Sequence, residues 1–330
     1  MRIDKILCIQ HRQMGDVLMC TSAVRQLHEK LPNAEIHFLT ENPGAQVLKY
    51  NTNINHIIEV PRNIKISDSI KLIKNIRREK YDAVIDFFGN PRSGLLTALS
   101  GAKYRCGFRN PAQLWAYNYS RKFTEECGRE YAAKTKARLL ELIDLEPPAR
   151  PSIEMPFGND EKQFAEHFWK DVGFNVNEKV IAFCPVSRRD YKMWKPEYFA
   201  ELADALIDKY SVKLLVIYGP GEKDLASAIT DKMKRDAILD YPMPTILQLR
   251  AILEKCAMYV GNDGGNKHIA ITAGLPTATL FRQLNPANWT PPNDERHVFV
   301  AEGGSGQPLL DVLKPNDLLK EIEKIEHYLK

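Results

Sequence analysis

The stretch Asn262-Asp263-Gly264-Gly265-Asn266-Lys267-His268-Ile269-Ala270 has the residue types of an anion site. An apolar run, Ala257 to Gly261, leads into it as a strand, and Ile269 to Ala273 leads out with helical spacing. A strand, glycine turn and helix in that order aim several backbone N–H groups at one point, where the helix dipole adds partial positive charge. Gly264 and Gly265 let an anion approach the backbone closely. The junction reads as a cradle for phosphate or diphosphate with Asp263 and His268 beside it. The plainer reading is a strand-to-helix turn in which Asp263 is only a cap.

Three other loops have comparable chemistry. Ser187-Arg188-Arg189-Asp190-Tyr191-Lys192-Met193-Trp194 follows the apolar run Val180 to Cys184. Its hydroxyl and three cations suit a phosphate-bearing ligand, and Lys192 is placed to neutralise charge on a departing diphosphate; the alternative is a solvated basic loop. Glu222, in Gly219-Pro220-Gly221-Glu222-Lys223-Asp224, suits two ribose hydroxyls, or a dipole-stabilised acid at a helix start. Asp16 follows the first apolar run, Lys5 to Gln10, and reads as a general base or as an N-cap. Gly15 before it allows a sharp bend, and the loop does not match G-x-G-x-x-G.

The elements that position these loops follow from periodicity. Expected strands are Lys5–Gln10, Glu35–Leu39, Ile54–Val60, Ala83–Phe87 and a short one near Tyr104–Gly107. They alternate with helical patterns at Val17–Leu31, Ala45–Tyr50, Ser67–Lys80, Arg92–Ser100 and Arg129–Ile143. The proline-rich segment Leu145 to Pro151 marks a boundary, with linker character to about Asn159. Strands and helices then alternate again, ending in an amphipathic helix at Pro315–Lys330. The expected domains are 1–150 and 151–314, with 315–330 as a terminal helix. The fold class is α/β, with two doubly wound parallel sheets whose strand ends present the loops to a cleft. Within the second half, Lys192, Glu222 and the Asp263 turn each follow a strand, so a parallel sheet brings them to one edge. A lysine for phosphate, a carboxylate for ribose and a helix N-terminus for diphosphate together describe a nucleotide-diphosphate site.

Composition limits the alternatives. The chain has 330 residues, 44% hydrophobic and 27% charged, with a formal charge of +4. That balance is ordinary for a globular protein and too weakly basic to argue for nucleic acid. The six cysteines are scattered without a C-x-x-C pair, which fits a reducing cytosol and offers no zinc site. The N-terminus enters a strand pattern, not a signal peptide, and no apolar run nears the ~20 residues a membrane span needs. Basic residues crowd 62–80 and, with Phe108, Trp115, Tyr117 and Tyr119 interleaved, 103–122. They read as an acceptor surface for anionic sugar or a membrane headgroup plane, or as solvated helix faces.

The motifs resemble a known family. Met14-Gly15-Asp16-Val17-Leu18, Cys20 to Leu27 and Ala34 to Thr40 are similar to the start of the lipopolysaccharide heptosyltransferases, glycosyltransferase family 9. Ser187 to Trp194 resembles that family's donor-phosphate loop, and Asn262 to Phe281 its C-terminal signature. The resemblance spans nearly the whole chain. It implies a GT-B fold, with the acceptor site in the first Rossmann-like domain, the donor site in the second and a terminal helix reaching back toward the first. It implies a cytoplasmic enzyme, peripheral to the inner membrane face, that moves heptose from ADP-heptose to a lipid-linked anionic glycan by inverting displacement. Neither a metal nor another cofactor is implied. Carried across by motif, Asp16 is the base, Lys192 and Ser187 meet donor phosphates, and Glu222 meets the nucleoside; Arg188, one of the loop's three cations, is a further donor-side candidate. Asp263, Gly264, Gly265 and His268 surround the diphosphate and sugar. Apart from the motifs, the basic first half and the loop after its first strand offer Gly15, Arg12, Arg109 and Arg121 as acceptor-side candidates.

The chain departs from the family where Arg12 and Gln13 replace small hydroxyl residues, where Gly264 replaces a threonine, and at the inserted Lys195. The same machinery with another nucleotide sugar or glycan acceptor, a sugar-nucleotide epimerase of similar architecture, and an inactive nucleotide-sugar-binding protein are the other readings.

Overall fold

Short apolar runs bounded by turn residues become strands buried on both faces, as parallel strands between helices are. The computed structural model describes residues 2–110, 114–175, 178–303 and 312–330. It consists of two compact units, Met1–Pro156 and Phe157–Lys330.

The first unit runs β1 (Lys5–Ile9), α1 (Met14–Lys30), β2 (Glu35–Thr40), α2 (Gly44–Leu48), β3 (His56–Glu59), α3 (Ile66–Arg78), β4 (Ala83–Asp86), α4 (Pro91–Leu99), β5 (Tyr104–Arg109), β6 (Tyr119–Lys122) and α5 (Ala132–Ala137). Its sheet has the order β3-β2-β1-β4-β5-β6, and every pairing is parallel. The chain reverses its direction of travel across the sheet between β1 and β4, and Ile9 lies opposite Asp86 there. Ile76 of α3 and Leu96 of α4 pack on Leu7, Ile9, Leu39 and Val84 of the sheet.

The second unit runs α6 (Asn159–Asp171), β7 (Val180–Cys184), α7 (Pro196–Tyr210), β8 (Lys213–Val216), α8 (Lys223–Thr230), α9 (Ile246–Leu253), β9 (Met258–Asn262), α10 (Gly265–Thr272), β10 (Thr277–Arg282), α11 (Pro286–Trp289), β11 (His297–Glu302) and α12 (Pro315–Glu323). Its parallel sheet has the order β11-β10-β9-β7-β8, so the reversal falls between β7 and β9. β7 and β9 approach very closely at Gly261. A Cβ built there would lie 2.2 Å from the Cys184 carbonyl oxygen, so only glycine fits.

The periodic reading agrees with most of these elements and differs at several places. Two strands, β6 and β11, went unread. β6 is polar and partly exposed and carries no apolar run, whereas β11 has one, Val298 to Ala301, that the periodic reading passed over. The helix expected over 129–143 is α5 followed by a 3-10 segment, Arg138–Ile143. The proline-rich segment after residue 145 is tied to the first unit rather than free. Glu154 accepts hydrogen bonds from Asn51 Nδ2 at 3.0 Å and Asn53 Nδ2 at 2.8 Å and pairs with Arg25 at 3.2 Å. The compact units therefore meet in sequence at 156/157. The terminal helix α12 packs on α7, β10 and β11.

Gly261→Ala is expected to destabilise the second unit by at least about 1–3 kcal/mol, because the methyl group would have to displace backbone. Thermal unfolding of the variant beside the parent checks this; an unchanged midpoint would refute the close approach.

Candidate functional site

The two sheets each place loops at the carboxyl ends of the strands flanking their reversal point, where open α/β sheets bind ligands. In the second unit these are the loop after β7, which carries Ser187 to Trp194, and the turn after β9, which carries Asp263 and Gly264.

Asp263 is the centre of this half. It precedes the N-cap of α10, which is Gly264, so Asp263 does not cap the helix. Its carboxylate is buried and held by two lysines, one on each oxygen. Lys192 Nζ donates to Oδ2 at 3.0 Å and also reaches the Asp263 carbonyl at 3.3 Å. Lys267 Nζ donates to Oδ1 at 2.7 Å and to the Trp289 carbonyl at 2.9 Å, and it lies 4.4 Å from the centre of the Phe281 ring. Burial alone would raise the Asp263 carboxyl, but Lys267, assisted by Lys192, holds it well below the usual carboxylate range. Burial also lowers the Lys267 ammonium, against the opposing pull of Asp263.

The loop that delivers Lys192 is fastened by its neighbours. Trp194 is buried, sets its ring edge-to-face on Phe199 at 5.5 Å and donates from Nε1 to the Leu313 carbonyl at 3.1 Å. Arg282 donates to the Met193 carbonyl and pairs with Glu302 at 3.4 Å. Ser187 is half-buried at the start of the loop, and its Oγ accepts from the Arg189 N–H at 3.3 Å. Arg188 is exposed.

The other expected residues surround this pair. His268, in the first turn of α10, is 3% exposed, its ring 5.8 Å from that of Trp289. Its Nδ1 is buried and, among the described residues, has no hydrogen-bond partner. Burial, then the Lys267 charge, push this imidazole down to about 3, so it is neutral. Asn262 donates to the Pro185 carbonyl at 2.8 Å and so ties β9 to the loop after β7, while its Oδ1 is buried and has no hydrogen-bond partner among the described residues. Gly264 and Gly265 are part-exposed, and the space a Cβ would occupy at Gly264 is open. Glu222 follows β8, the strand beside β7. One of its oxygens accepts the Gly219 N–H at 2.7 Å across a turn that Gly221 makes with φ +79°. This half thus holds exposed cations, helix N–H groups and a carboxylate along one sheet edge, with an unsatisfied buried donor or acceptor at His268.

In the first unit the corresponding loops follow β1 and β4. The helix α1 begins at Met14 with Gln13 as N-cap, three residues earlier than expected, so Asp16 sits inside the first turn. Its Oδ2 accepts the Gln13 N–H at 3.4 Å, and its Oδ1 lies 3.9 Å from Lys136 Nζ. Lys136 also donates to Gln10 Oε1 at 2.8 Å and to the Phe87 carbonyl at 3.4 Å, joining the ends of β1 and β4. Beside them, Asp86 accepts from Phe88 N and Gly89 N at 3.0 Å and from the Tyr117 hydroxyl at 2.7 Å. Gly15 is part-exposed, and Arg12 and Arg109 are exposed. Arg121 lies on β6 and pairs with Glu141, so its charge is already engaged.

Sequence reasoning assigned no role to Lys267 or Lys136. Lys267 stood inside the quoted stretch, four residues after Asp263 on the same helix face, and that spacing was a usable signal. Lys136 had none: Lys134 and Arg138 beside it serve Glu130, and only the packing of α5 against α1 separates it from them. No helix of the described residues is long and apolar enough to cross a membrane.

A family model described as glycosyltransferase family 9 (heptosyltransferase) matches residues 69–315. The lipopolysaccharide core heptosyltransferase OpsX of Haemophilus influenzae is 24% identical over 97% of this chain and 94% of its own. Among solved structures, the glycosyl transferase family 9 protein of Veillonella parvula superposes with a TM-score of 0.86, at 20% identity, over 100% of this chain and 98% of that one. The ADP-heptose lipopolysaccharide heptosyltransferase II of E. coli gives 0.78 at 22% identity, covering 98% of both. The two parallel-sheet units are therefore of the GT-B class.

Lys267→Met should destabilise the second unit by about 3–5 kcal/mol, since it strips a buried carboxylate of one of its two charges. Lys192→Met, at a more exposed position, should cost less; denaturant titration of both variants decides it. Acid should destabilise the chain as well. His11, His268 and His297 are pushed down by burial to about 3, about 3 and about 4, against 6.5 for an ordinary imidazole. The unfolded chain therefore binds more protons below pH 6.5, and stability present above that pH is lost as the pH falls toward 4. Each imidazole contributes about 1.4 kcal/mol per pH unit in that window. Thermal midpoints that stay level between pH 6.5 and 4.5 would contradict this.

Proposed function

This chain belongs to glycosyltransferase family 9, the heptosyltransferases, and is a glycosyltransferase; on that premise we propose that it transfers heptose from ADP-heptose to a lipopolysaccharide inner-core acceptor. The observation that carries the donor half is the Lys192–Asp263 pair beside the partnerless His268 Nδ1 at the start of α10. A diphosphate seated there meets an ammonium group, the N–H groups of a helix start and a glycine without a side chain in the way. Glu222, part-exposed after β8, meets the nucleoside ribose, and Ser187 and Arg188 add phosphate contacts. Gly264 leaves backbone alone at a position where the family often has a hydroxyl.

The chemistry is a direct displacement. The acceptor hydroxyl oxygen bonds to the anomeric carbon, and Asp16 takes the hydroxyl proton. The bond from that carbon to the diphosphate oxygen breaks on the opposite side, its electron pair leaving with ADP, and the configuration inverts. Lys192 and the α10 N–H groups stabilise the charge that develops on the diphosphate, and they do so without a metal ion. Lys136 holds Asp16 in the site as a cation near one oxygen. Arg12 and Arg109 are exposed for an anionic glycan, while Arg121 would have to leave Glu141 to join them. The acceptor is lipid-linked, and the enzyme works at the cytoplasmic face of the inner membrane.

Asp16→Asn should lower kcat by at least about 10²-fold with ADP affinity preserved, because asparagine keeps the contact to Gln13 N–H but accepts no proton. Near-normal turnover would remove Asp16 from the role of base. Lys192→Ala should weaken ADP binding as well as turnover, measured by titration calorimetry. Incubation with a panel of nucleotide sugars and truncated lipopolysaccharides, in excess EDTA and read by mass spectrometry, tests the substrates and the metal independence together. The expected result is a mass gain of one heptose; isomerised donor without transfer would favour an epimerase instead.

A further inference from the structure

We propose that the outer face of the α3–α4 layer of the first unit docks onto an anionic lipid bilayer. This extends the reading of a lipid-linked acceptor, which it presupposes only in purpose, not in its argument.

Of the twelve large hydrophobic residues exposed among the described residues, eight lie between positions 66 and 123. That concentration is not the scatter expected of an ordinary surface. α3 turns Ile76 into the core and packs Leu72 and Ile73 against it, yet Ile66 and Ile70, one turn apart, are 82% and 49% exposed. α4 repeats the arrangement: Leu96 is buried, while Leu95 and Leu99 are exposed. α3 packs beside α4, and α4 packs beside the turn Leu114–Ala116, which carries Trp115 at 57% exposure. The exposed apolar groups therefore ride on adjoining elements of one layer.

Charge identifies the occupant. Residues 62–80 hold seven lysines and arginines against two acids, and residues 103–122 hold five against none. Those two segments carry a net +10, whereas the whole chain carries +4, so the remainder is net negative. All seven cations of the first segment, Arg62 and Lys65 to Lys80, are exposed. Apolar side chains spread among cations, instead of lining a groove, match the interface of an anionic bilayer, with acyl chains for the former and phosphates for the latter. A protein partner would favour a contiguous apolar core with the charges at its rim. Ile66 stands at the N-terminal end of α3, after β3, and Leu114 and Trp115 follow β5, so much of this face lies by the same sheet edge as Asp16.

The test is flotation of the full chain with vesicles of phosphatidylethanolamine and phosphatidylglycerol, beside vesicles of phosphatidylcholine alone, none carrying lipopolysaccharide. Binding is expected to the anionic vesicles only, with a blue shift of tryptophan fluorescence that Trp115→Phe diminishes. Ile66→Ser with Ile70→Ser, and separately Lys65→Glu with Lys74→Glu, should each weaken binding about tenfold or more, the second pair removing its salt dependence. Circular dichroism confirms that the variants fold. Equal binding to both vesicle types, no binding, or binding that ignores both pairs of substitutions would overturn the proposal. So would a dimer without vesicles that Ile66→Ser and Ile70→Ser dissociate, which would make a second copy the occupant. Transfer to a delipidated soluble acceptor separates the two readings. Transfer without vesicle binding sinks the docking face alone; vesicle binding without transfer sinks the assigned reaction alone.

Discussion

An ionised carboxylate buried at the end of β9 imposes conditions on everything around it. Asp263 is 4% exposed, and a charge so placed persists only if its lost hydration is replaced. Two ammonium groups replace it, and they are not equivalent. Lys267 comes from the same helix turn, has its side chain 1% exposed and is held by a carbonyl and an aromatic ring, so it serves as internal compensation. Lys192 comes from another strand's loop and keeps 14% of its side chain exposed, so it is the cation that the proposed donor site would present to a ligand. With Lys267 balancing Asp263, the positive charge of Lys192 remains available to an incoming anion. The burial of Trp194 and the Arg282 contact to Met193 follow from the same need, because the loop must keep its lysine in place.

The two units solve the positioning problem in the same way. In each sheet the chain starts near the middle, winds to one edge, and then returns to build the other side. The strands on either side of that reversal send their following loops apart, which opens room at the carboxyl edge. In the second unit the room lies between the loops after β7 and β9, bridged by Lys192 to Asp263 and by Asn262 to Pro185. In the first unit it lies between the loops after β1 and β4, bridged by Lys136 from Gln10 to Phe87. The order of the strands thus selects the site, and polar side chains that join the two loops hold it open.

Much of this was legible along the chain. Central strands announced themselves as apolar runs, and the alternation with helices pointed to parallel sheets. The chemistry-bearing loops stood out because glycines, acids and cations cluster directly after those runs. Two strands did not: β6 reads as a polar loop, and the short apolar run of β11 was not separated from the loop around it. Asp263 shows a different limit. A cap and a charge-pair partner have the same sequence signature, and only the position of Gly264 at the helix start separates them. Arg121 looked as available as Arg109 until Glu141 claimed it.

Residue type and local order are sufficient for the α/β class and for locating the glycine-, acid- and cation-bearing loops that follow the strands, because these depend on interactions within about one or two turns of chain. Which cation answers which carboxylate is a different kind of fact. Lys192 and Asp263 are distant in sequence, as are Lys136 and Asp16, and nothing local marks them as partners. Their pairing arises when parallel strands bring separate loops to one sheet edge and burial makes an uncompensated charge too costly to keep. The same folding turns a hydrophobic pattern on α3 and α4 partly inward and leaves the rest of it, with its cations, facing out.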